Sequence, residues 1–355
     1  MIRCGRQLRI LIIKTSALGD IIHALPVLSY LHQAVPGAEI DWVVEEAFKE
    51  LLSGNPAIRR LITVPFKRWK KERGLKVLAE MRAVAADLRR DRYDLVFDLQ
   101  GNTKSGILCG LARSGRKVGY SRQHLQENLN ALATTEKVSF LPEDIHVAQR
   151  TLRVVSAPFT LEPDAQEWPT DIFTSQEDDD YAGGLVSEFV EAGPVILFHT
   201  GTTWVTKLWY EQGWQALAEL ILFRYPGAAI LFSWGNREER ERSERIATAV
   251  GKHALVLEQL PLKRFAAVLK RCRLVVGGDT GPVHLAAAVG TPTLSFYRCT
   301  DGARNGPYGS RHGIVQSPLP CSRCQLSSCE RDAECRNSIT PDAMFAGVST
   351  LLERG

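Results

Sequence analysis

No run of apolar residues in this 355-residue chain approaches the ~18 that a membrane-spanning helix requires. Neither a G-x-G-x-x-G nor a Walker A pattern occurs, which removes the strongest sequence cases for a dinucleotide enzyme and a P-loop ATPase. The opening MIRCGRQLRILIIK is basic and then apolar, but the apolar part is short and no small-residue cleavage site follows it. It reads as a first strand after a short leader, not as a signal peptide, and the expectation is a protein that stays in the cytoplasm. Charge of neither sign dominates: 44 Lys and Arg face 40 Asp and Glu, so net charge gives no argument for a nucleic-acid partner. A disulfide framework is also disfavoured. Four of the eight cysteines are scattered (Cys4, Cys109, Cys272, Cys299), and a reducing compartment argues against pairing the rest. With 45% hydrophobic and 24% charged residues the composition is that of a globular protein, and the length suits two domains.

What is present is an alternation of strands and helices. Residues 8–14, 40–44, 60–64 and 94–99 read as buried strands, with an amphipathic helix from Ile21 to about Ala34 and another over 75–90. That alternation predicts a parallel sheet with helices on both faces, whose ligands lie outside the carboxyl ends of the strands. Asp20, Glu45, Glu46 and Gln100–Asn102 fall at that edge. By position alone Asp20 is either a helix cap or a carboxylate available for chemistry. Across 157–193 the composition changes, with Pro158, Pro163, Pro169 and the acidic run 177–180 marking a connection. The expected division is 1–170, 171–340 and a final helix in 341–355. In the second part 195–198 and 229–232 read as strands, a helix spans about Asp178 to Ala192, and REERERSERIA is a charged helix face.

The stretch 273–297, RLVVGGDTGPVHLAAAVGTPTLSFY, reads as strand, tight turn, short helix, strand. Gly277 and Gly278 are expected to let the chain turn. Asp279 and Thr280 suit a helix cap, Pro282 suits its first turn, and Gly290 with Pro292 ends it. Free N–H groups at such a helix start, beside a strand's carboxyl end, attract anions, and His284 can add a donor. An ordinary crossover with a half-buried histidine fits the same residues.

Residues 66–73, FKRWKKER, place five basic side chains around Trp69 against one acid, in what reads as a loop between a strand and a helix. Such a run is either a solvated face or an anion-binding one. Near the end, Cys321, Cys324, Cys329 and Cys335 form a C-x2-C-x4-C-x5-C array, spaced closely enough for a structural zinc or for thiols that pack or oxidise.

GGDTGPVHLAAAVGTPTLSFY closely resembles the sugar-nucleotide signature of the bacterial ADP-heptose:lipopolysaccharide heptosyltransferases. KTSALGDIIHALP resembles their opening strand–loop–helix, HTGTT with Lys207 their donor-phosphate turn, and 67–71 the basic loop of the first-heptose type. The resemblance implies a GT-B fold, two facing Rossmann-like domains with parallel sheets, acceptor on the first and nucleotide sugar on the second. The last helix of such enzymes can cross back to the first domain. It implies inverting transfer of L-glycero-D-manno-heptose from ADP-heptose to the Kdo of lipid A–Kdo in lipopolysaccharide inner-core synthesis, at the inner face of the inner membrane. Asp20 is then the catalytic base, and Lys207 offsets charge on the leaving diphosphate. Thr202, Thr203, Lys207, Asp279, Thr280, Gly281 and His284 would contact the donor, and Glu239 its ribose hydroxyls. Lys67, Arg68, Lys70 and Lys71 would face the acceptor's anionic groups. No cofactor, active-site metal or nucleic acid is implied, and no carboxylate pair near Asp279 suggests a bridging magnesium. No motif specifies an oligomeric state. Two departures bear on the acceptor: Gln126–Glu127 replaces an Arg-Glu pair, with Arg122 nearby, and Lys67 stands where an arginine is expected. A later step of the heptosyltransferase II type, a nucleotide-sugar epimerase or hydrolase on the same scaffold, and a non-catalytic sugar-nucleotide binder remain alternatives.

Overall fold

A computed structural model describes residues 7–163, 170–190 and 193–354. The leader with Cys4, Pro169 and the end of the helix expected to reach Ala192 lie outside the described residues. The chain divides into two compact units, Met1–Phe173 and Thr174–Gly355.

The first unit is built on β1 (Arg9–Ile13), β2 (Glu39–Glu45), β3 (Arg60–Val64), β4 (Leu95–Asp98), β5 (Lys117–Tyr120) and β6 (Glu136–Val138). All pair in parallel, in the order β3-β2-β1-β4-β5-β6. Ile10 to Ile13 are buried, as a central parallel strand covered on both faces requires. The order reverses beside β1, so the connections leaving β1 and β4 diverge and open a crevice at their carboxyl ends. The helix expected to run unbroken to Ala34 is two, Leu18–Ala24 and Pro26–Ala34. Pro26 has no N–H to give to the preceding turn, and Leu25 N–H reaches Ile22 O instead at 3.1 Å.

The second unit holds β7 (Val195–His199), β8 (Ala229–Ser233), β9 (Ala254–Val256), β10 (Leu274–Gly278), β11 (Thr293–Tyr297) and β12 (His312–Gln316). Their order, β12-β11-β10-β7-β8-β9, repeats that of the first unit when each is counted from its own first strand. The crevice therefore falls between β7 and β10. Aromatics fill the core: Trp209, Trp214, Phe198, Phe232 and Phe296 pack with Met344, Val348 and Leu351 of the last helix, Pro341–Glu353. That helix lies on β11, β12 and the helix Glu211–Arg224, within the second unit. Two glycines allow its approach, since a Cβ at Gly347 would stand 2.7 Å from Leu294 Cδ1 and one at Gly313 2.8 Å from it. Among the described residues no helix is long and apolar enough to cross a membrane.

Because Met344 is fully buried in this cluster, Met344→Ala should cost about 2–5 kcal/mol of the second unit's stability. Denaturant unfolding followed by tryptophan fluorescence reads this directly. An unchanged midpoint would show that the last helix does not belong to this core.

Candidate functional site

In the second unit the loops leaving β7 and β10 are joined by an ion pair. Lys207, at the end of the short turn Val205–Lys207, places its Nζ 2.8 Å from Asp279 Oδ2 and 4.8 Å over the Trp204 ring. Asp279 Oδ1 lies 3.4 Å from His284 Nε2. Burial pushes the Asp279 carboxyl up, but His284 and Lys207 more than offset that and hold it well below the usual carboxylate range. Thr280 begins the helix Gly281–Ala288 without a side-chain capping bond, and its buried Oγ1 has no partner among the described residues. Its hydroxyl and the leading N–H groups are the kind of donors that an anion engages.

Gly277 and Gly278 do not make the turn, as the sequence suggested. They are the last residues of β10, neither has a positive φ, and Asp279–Thr280 carry the chain round. What they supply is room. A Cβ on Gly277 would meet Val283 Cγ2 at 2.6 Å, and one on Gly278 the carbonyl of Lys207 at 3.2 Å. Gly290, with φ +85°, ends the helix as expected.

At the carboxyl end of β8, Asn236 caps the helix Arg237–Val250 by accepting Glu239 N–H at 3.0 Å. The cap turns the buried Glu239 inward, where Oε2 accepts Gly235 N–H at 2.7 Å. Its carboxylate lies over Gly201, where a Cβ would come 2.1 Å from Glu239 Cδ and push that carboxylate out of place. Thr202 is half-buried and Thr203 exposed in that turn. His199 ends β7 with Nδ1 2.9 Å from Ser233 Oγ, and burial lowers its pKa to about 4.

The first unit ties its crevice loops together through a side-chain amide and not an ion pair. Gln100 Oε1 accepts hydrogen bonds from Thr15 N (3.0 Å), Thr15 Oγ1 (3.3 Å) and Ser16 N (3.1 Å), tying the loop after β4 to the loop after β1. Lys14 Nζ donates to Leu99 O at 2.9 Å. Beneath them Asp98 is buried and pushed up by desolvation, while Asn130, Gly101, Gln100 and Ser105 all donate to it. Asp20 sits half-exposed on the first turn of Leu18–Ala24. One oxygen accepts Ala17 N–H at 3.0 Å, and the other has no partner among the described residues. The residue is thus a cap with a free lone-pair face.

The basic stretch is not a loop but the helix Phe66–Lys71. Glu45, buried at the end of β2, accepts Lys67 N–H at 3.1 Å and starts it. Its cations are not equivalent. Arg68 pairs with Glu80 at 2.6 Å and with Glu46 at 3.6 Å, Trp69 Nε1 donates to Glu80, and Lys67 lies over Phe48. Lys70 and Lys71 are exposed, with no ion-pair partner among the described residues. Glu127 accepts the Thr103 N–H, and Arg122 is exposed.

Among the described residues no three Cys, His, Asp or Glu side chains gather to hold a metal ion. Cys321 and Cys324 are exposed, Cys329 and Cys335 partly so. The tail is held by Arg298, a residue that no motif marks. Its buried guanidinium donates to the carbonyls of Val205 and Leu208 and to Asp332 Oδ1 at 2.6 Å, fastening the tail to the turn that carries Lys207.

Two Rossmann-like units, each with a polar site at the point where strand order reverses, are the arrangement of a GT-B glycosyltransferase. Residues 81–333 match glycosyltransferase family 9 (heptosyltransferase), and the chain belongs to that family. It is 35% identical over 323 residues to lipopolysaccharide heptosyltransferase 1 of Pseudomonas aeruginosa, covering 91% of this chain and 87% of that protein. With the protein of the same name from Escherichia coli K12 it shares 32% over 317 residues, 88% of this chain and 94% of that one. The solved structure of E. coli heptosyltransferase WaaC with ADP-2-deoxy-2-fluoro heptose matches with a TM-score of 0.76 at 30% identity, covering 97% and 99% of the two chains.

Buried neutral histidines give the second unit an acid sensitivity. His199 and, to the same side, His312 have folded pKa values lowered from 6.5 to about 4 by burial. The unfolded chain binds those protons first, so their contribution is fully present above about pH 6.5 and is lost as pH falls toward 4. For His199 it amounts to at most about 3 kcal/mol. The variant His199→Gln should flatten the stability loss between pH 6.5 and 4 in thermal melts, whereas an unchanged slope would show that His199 is not buried neutral.

Proposed function

We propose that this enzyme transfers L-glycero-D-manno-heptose from ADP-heptose to the Kdo of lipid A–Kdo, with inversion, in lipopolysaccharide inner-core synthesis. The observation that carries the reading is Lys207 held on Asp279 beside the helix start at Thr280, a cationic and N–H-rich place at the crevice of the second unit. It suits a diphosphate. The high similarity to proteins named lipopolysaccharide heptosyltransferase 1 supports the sugar and the step.

In this reading Lys207, the Thr280 hydroxyl, the Gly281 N–H and His284 bind the diphosphate, with Thr202 and Thr203 at its flank. Glu239, turned inward by its cap and backed by Gly201, accepts the vicinal ribose hydroxyls. A Kdo hydroxyl attacks the anomeric carbon as the bond to the diphosphate oxygen breaks. Asp20 takes the hydroxyl proton, and Lys207 stabilises charge growing on ADP. The reaction needs one base and no covalent intermediate. Lys70 and Lys71, the unpaired cations of their helix, meet the acceptor's carboxylate and phosphates, with Lys67 beside them, while Arg68 is held by Glu80 and Glu46. A lipid-anchored acceptor places the enzyme on the inner face of the inner membrane as a peripheral protein.

Asp20→Asn keeps an oxygen for the Ala17 N–H but cannot take a proton. It should lower kcat by roughly 10²–10⁴ and leave ADP-heptose affinity within a few-fold. Near wild-type turnover would reduce Asp20 to a cap. The double variant Lys70→Ala/Lys71→Ala should raise the acceptor KM with donor KM unchanged, and an unaltered acceptor KM would return these lysines to plain surface. Turnover of ADP-heptose with lipid A–Kdo, compared with the singly heptosylated lipid, separates the first heptose transfer from a later one. Consumption of donor without any acceptor would indicate a hydrolase.

A further inference from the structure

The first unit carries a set of exposed apolar side chains that the proposed chemistry does not use, some of them directly after the basic helix whose Lys70 and Lys71 it does use. Fourteen large hydrophobic side chains are exposed among the described residues, and six of them, Leu75, Leu78, Met81, Ile107, Leu129 and Leu132, stand on three elements. These are the helices Leu75–Arg90 and Thr103–Leu111 and the turn Asn128–Leu132. Thr103–Leu111 packs beside both of the others. The three lie in the connections β3 to β4, β4 to β5 and β5 to β6, which all advance the same way across the sheet. Right-handed crossovers put such connections on one face. Leu75 is 85% exposed and Leu132 87%, so neither is held by a core. Apolar side chains gathered in this way on a surface mark an interaction site.

Helix Leu75–Arg90 shows what that site suits. Val77 and Leu88 are its buried residues. At 3.6 residues per turn Leu75, Arg82 and Arg89 fall away from the buried side and Leu78 on the flank between, so leucine and arginine share the outward face. Residues 67–90 hold nine Lys and Arg against three Asp and Glu, a surplus of six where the whole chain has four. One of the three acids, Glu80, is engaged by Arg68 and Trp69. Lys70, Lys71, Lys76 and Arg82 are exposed. Protruding leucines with cations beside them match an anionic bilayer surface, which takes apolar side chains at headgroup depth and places phosphates against the basic ones.

We propose that this face docks the first unit on an anionic lipid bilayer, with Leu75, Leu78 and Leu132 inserted among the headgroups. The choice of a bilayer rests on the heptosyl-transfer reading, in which the acceptor is itself a membrane lipid. The geometry serves that reading. Leu75 is the first residue of its helix, on the connection entering from the carboxyl end of β3, so docking there brings the bilayer beside the sheet edge that carries Asp20.

The test is flotation of the full-length enzyme with phosphatidylglycerol–phosphatidylcholine vesicles and with phosphatidylcholine vesicles alone. The wild type should bind the anionic vesicles, release them as salt rises, and bind the zwitterionic ones weakly. The variant Leu75→Gln/Leu78→Gln/Leu132→Gln should lose about tenfold in vesicle affinity. It should turn over a deacylated, water-soluble acceptor at the wild-type rate but act slowly on acceptor embedded in vesicles. Equal vesicle binding by variant and wild type, or no binding by either, overturns the proposal. So does a wild type that dimerises in solution through these leucines without binding vesicles, which would make the face an interface between copies. An enzyme that floats through these leucines but transfers heptose to no acceptor leaves the docking face standing and removes the functional reading instead.

Discussion

The second unit is organised around one ion pair, Lys207 to Asp279. The partners are 72 residues apart in the chain and meet only because β7 and β10 are neighbours, with His199 opposite Gly277 in the register. A carboxylate this buried is costly to ionise unless its partners are close and hydrogen-bonded, and here a lysine and a histidine both reach it. The surrounding sequence serves that contact. Gly277 and Gly278 let the helix and the lysine's own backbone close in, and Arg298 anchors the lysine turn from beneath by its carbonyls. An ammonium has three donors, and only one is engaged by Asp279, so the group stays available to an anionic ligand.

The first unit repeats the strand order with different chemistry. Where β7 and β10 are bridged by charges, β1 and β4 are bridged by the Gln100 side-chain amide. The amide clasp shapes the loop ahead of Asp20 without an ion pair between the two loops. Positive charge is instead carried outward, on the exposed Lys70 and Lys71.

Much of this was legible in the sequence, and the parts that were not share a cause. Strands such as RILII and VILFH declare themselves because both faces are buried, so each carries four consecutive apolar residues. β5, β6, β9 and β12 are three to five residues long, and the outer ones lie at sheet edges, so KVGY, EKV, ALV and HGIVQ carry no pattern of their own. They are strands because a neighbour pairs with them. The same holds for side chains. Asp20, Lys207 and Asp279 stand in motifs, whereas the clasp of Gln100 and the anchor of Arg298 are relations between distant loops that no local spacing encodes. The split at Pro26 was the exception. Proline inside a helical pattern is a local signal, and reading 21–34 as one helix overlooked it.

The central claim is that the Lys207–Asp279 site holds the donor's diphosphate. Calorimetric titration of ADP and of adenosine into the wild type and Lys207→Met tests it most directly. A lysine that meets phosphate should cost ADP at least tenfold in affinity when removed, about 1.4 kcal/mol, while adenosine binds both proteins alike. Unchanged ADP affinity in the variant, or an equal loss for adenosine, would contradict the account.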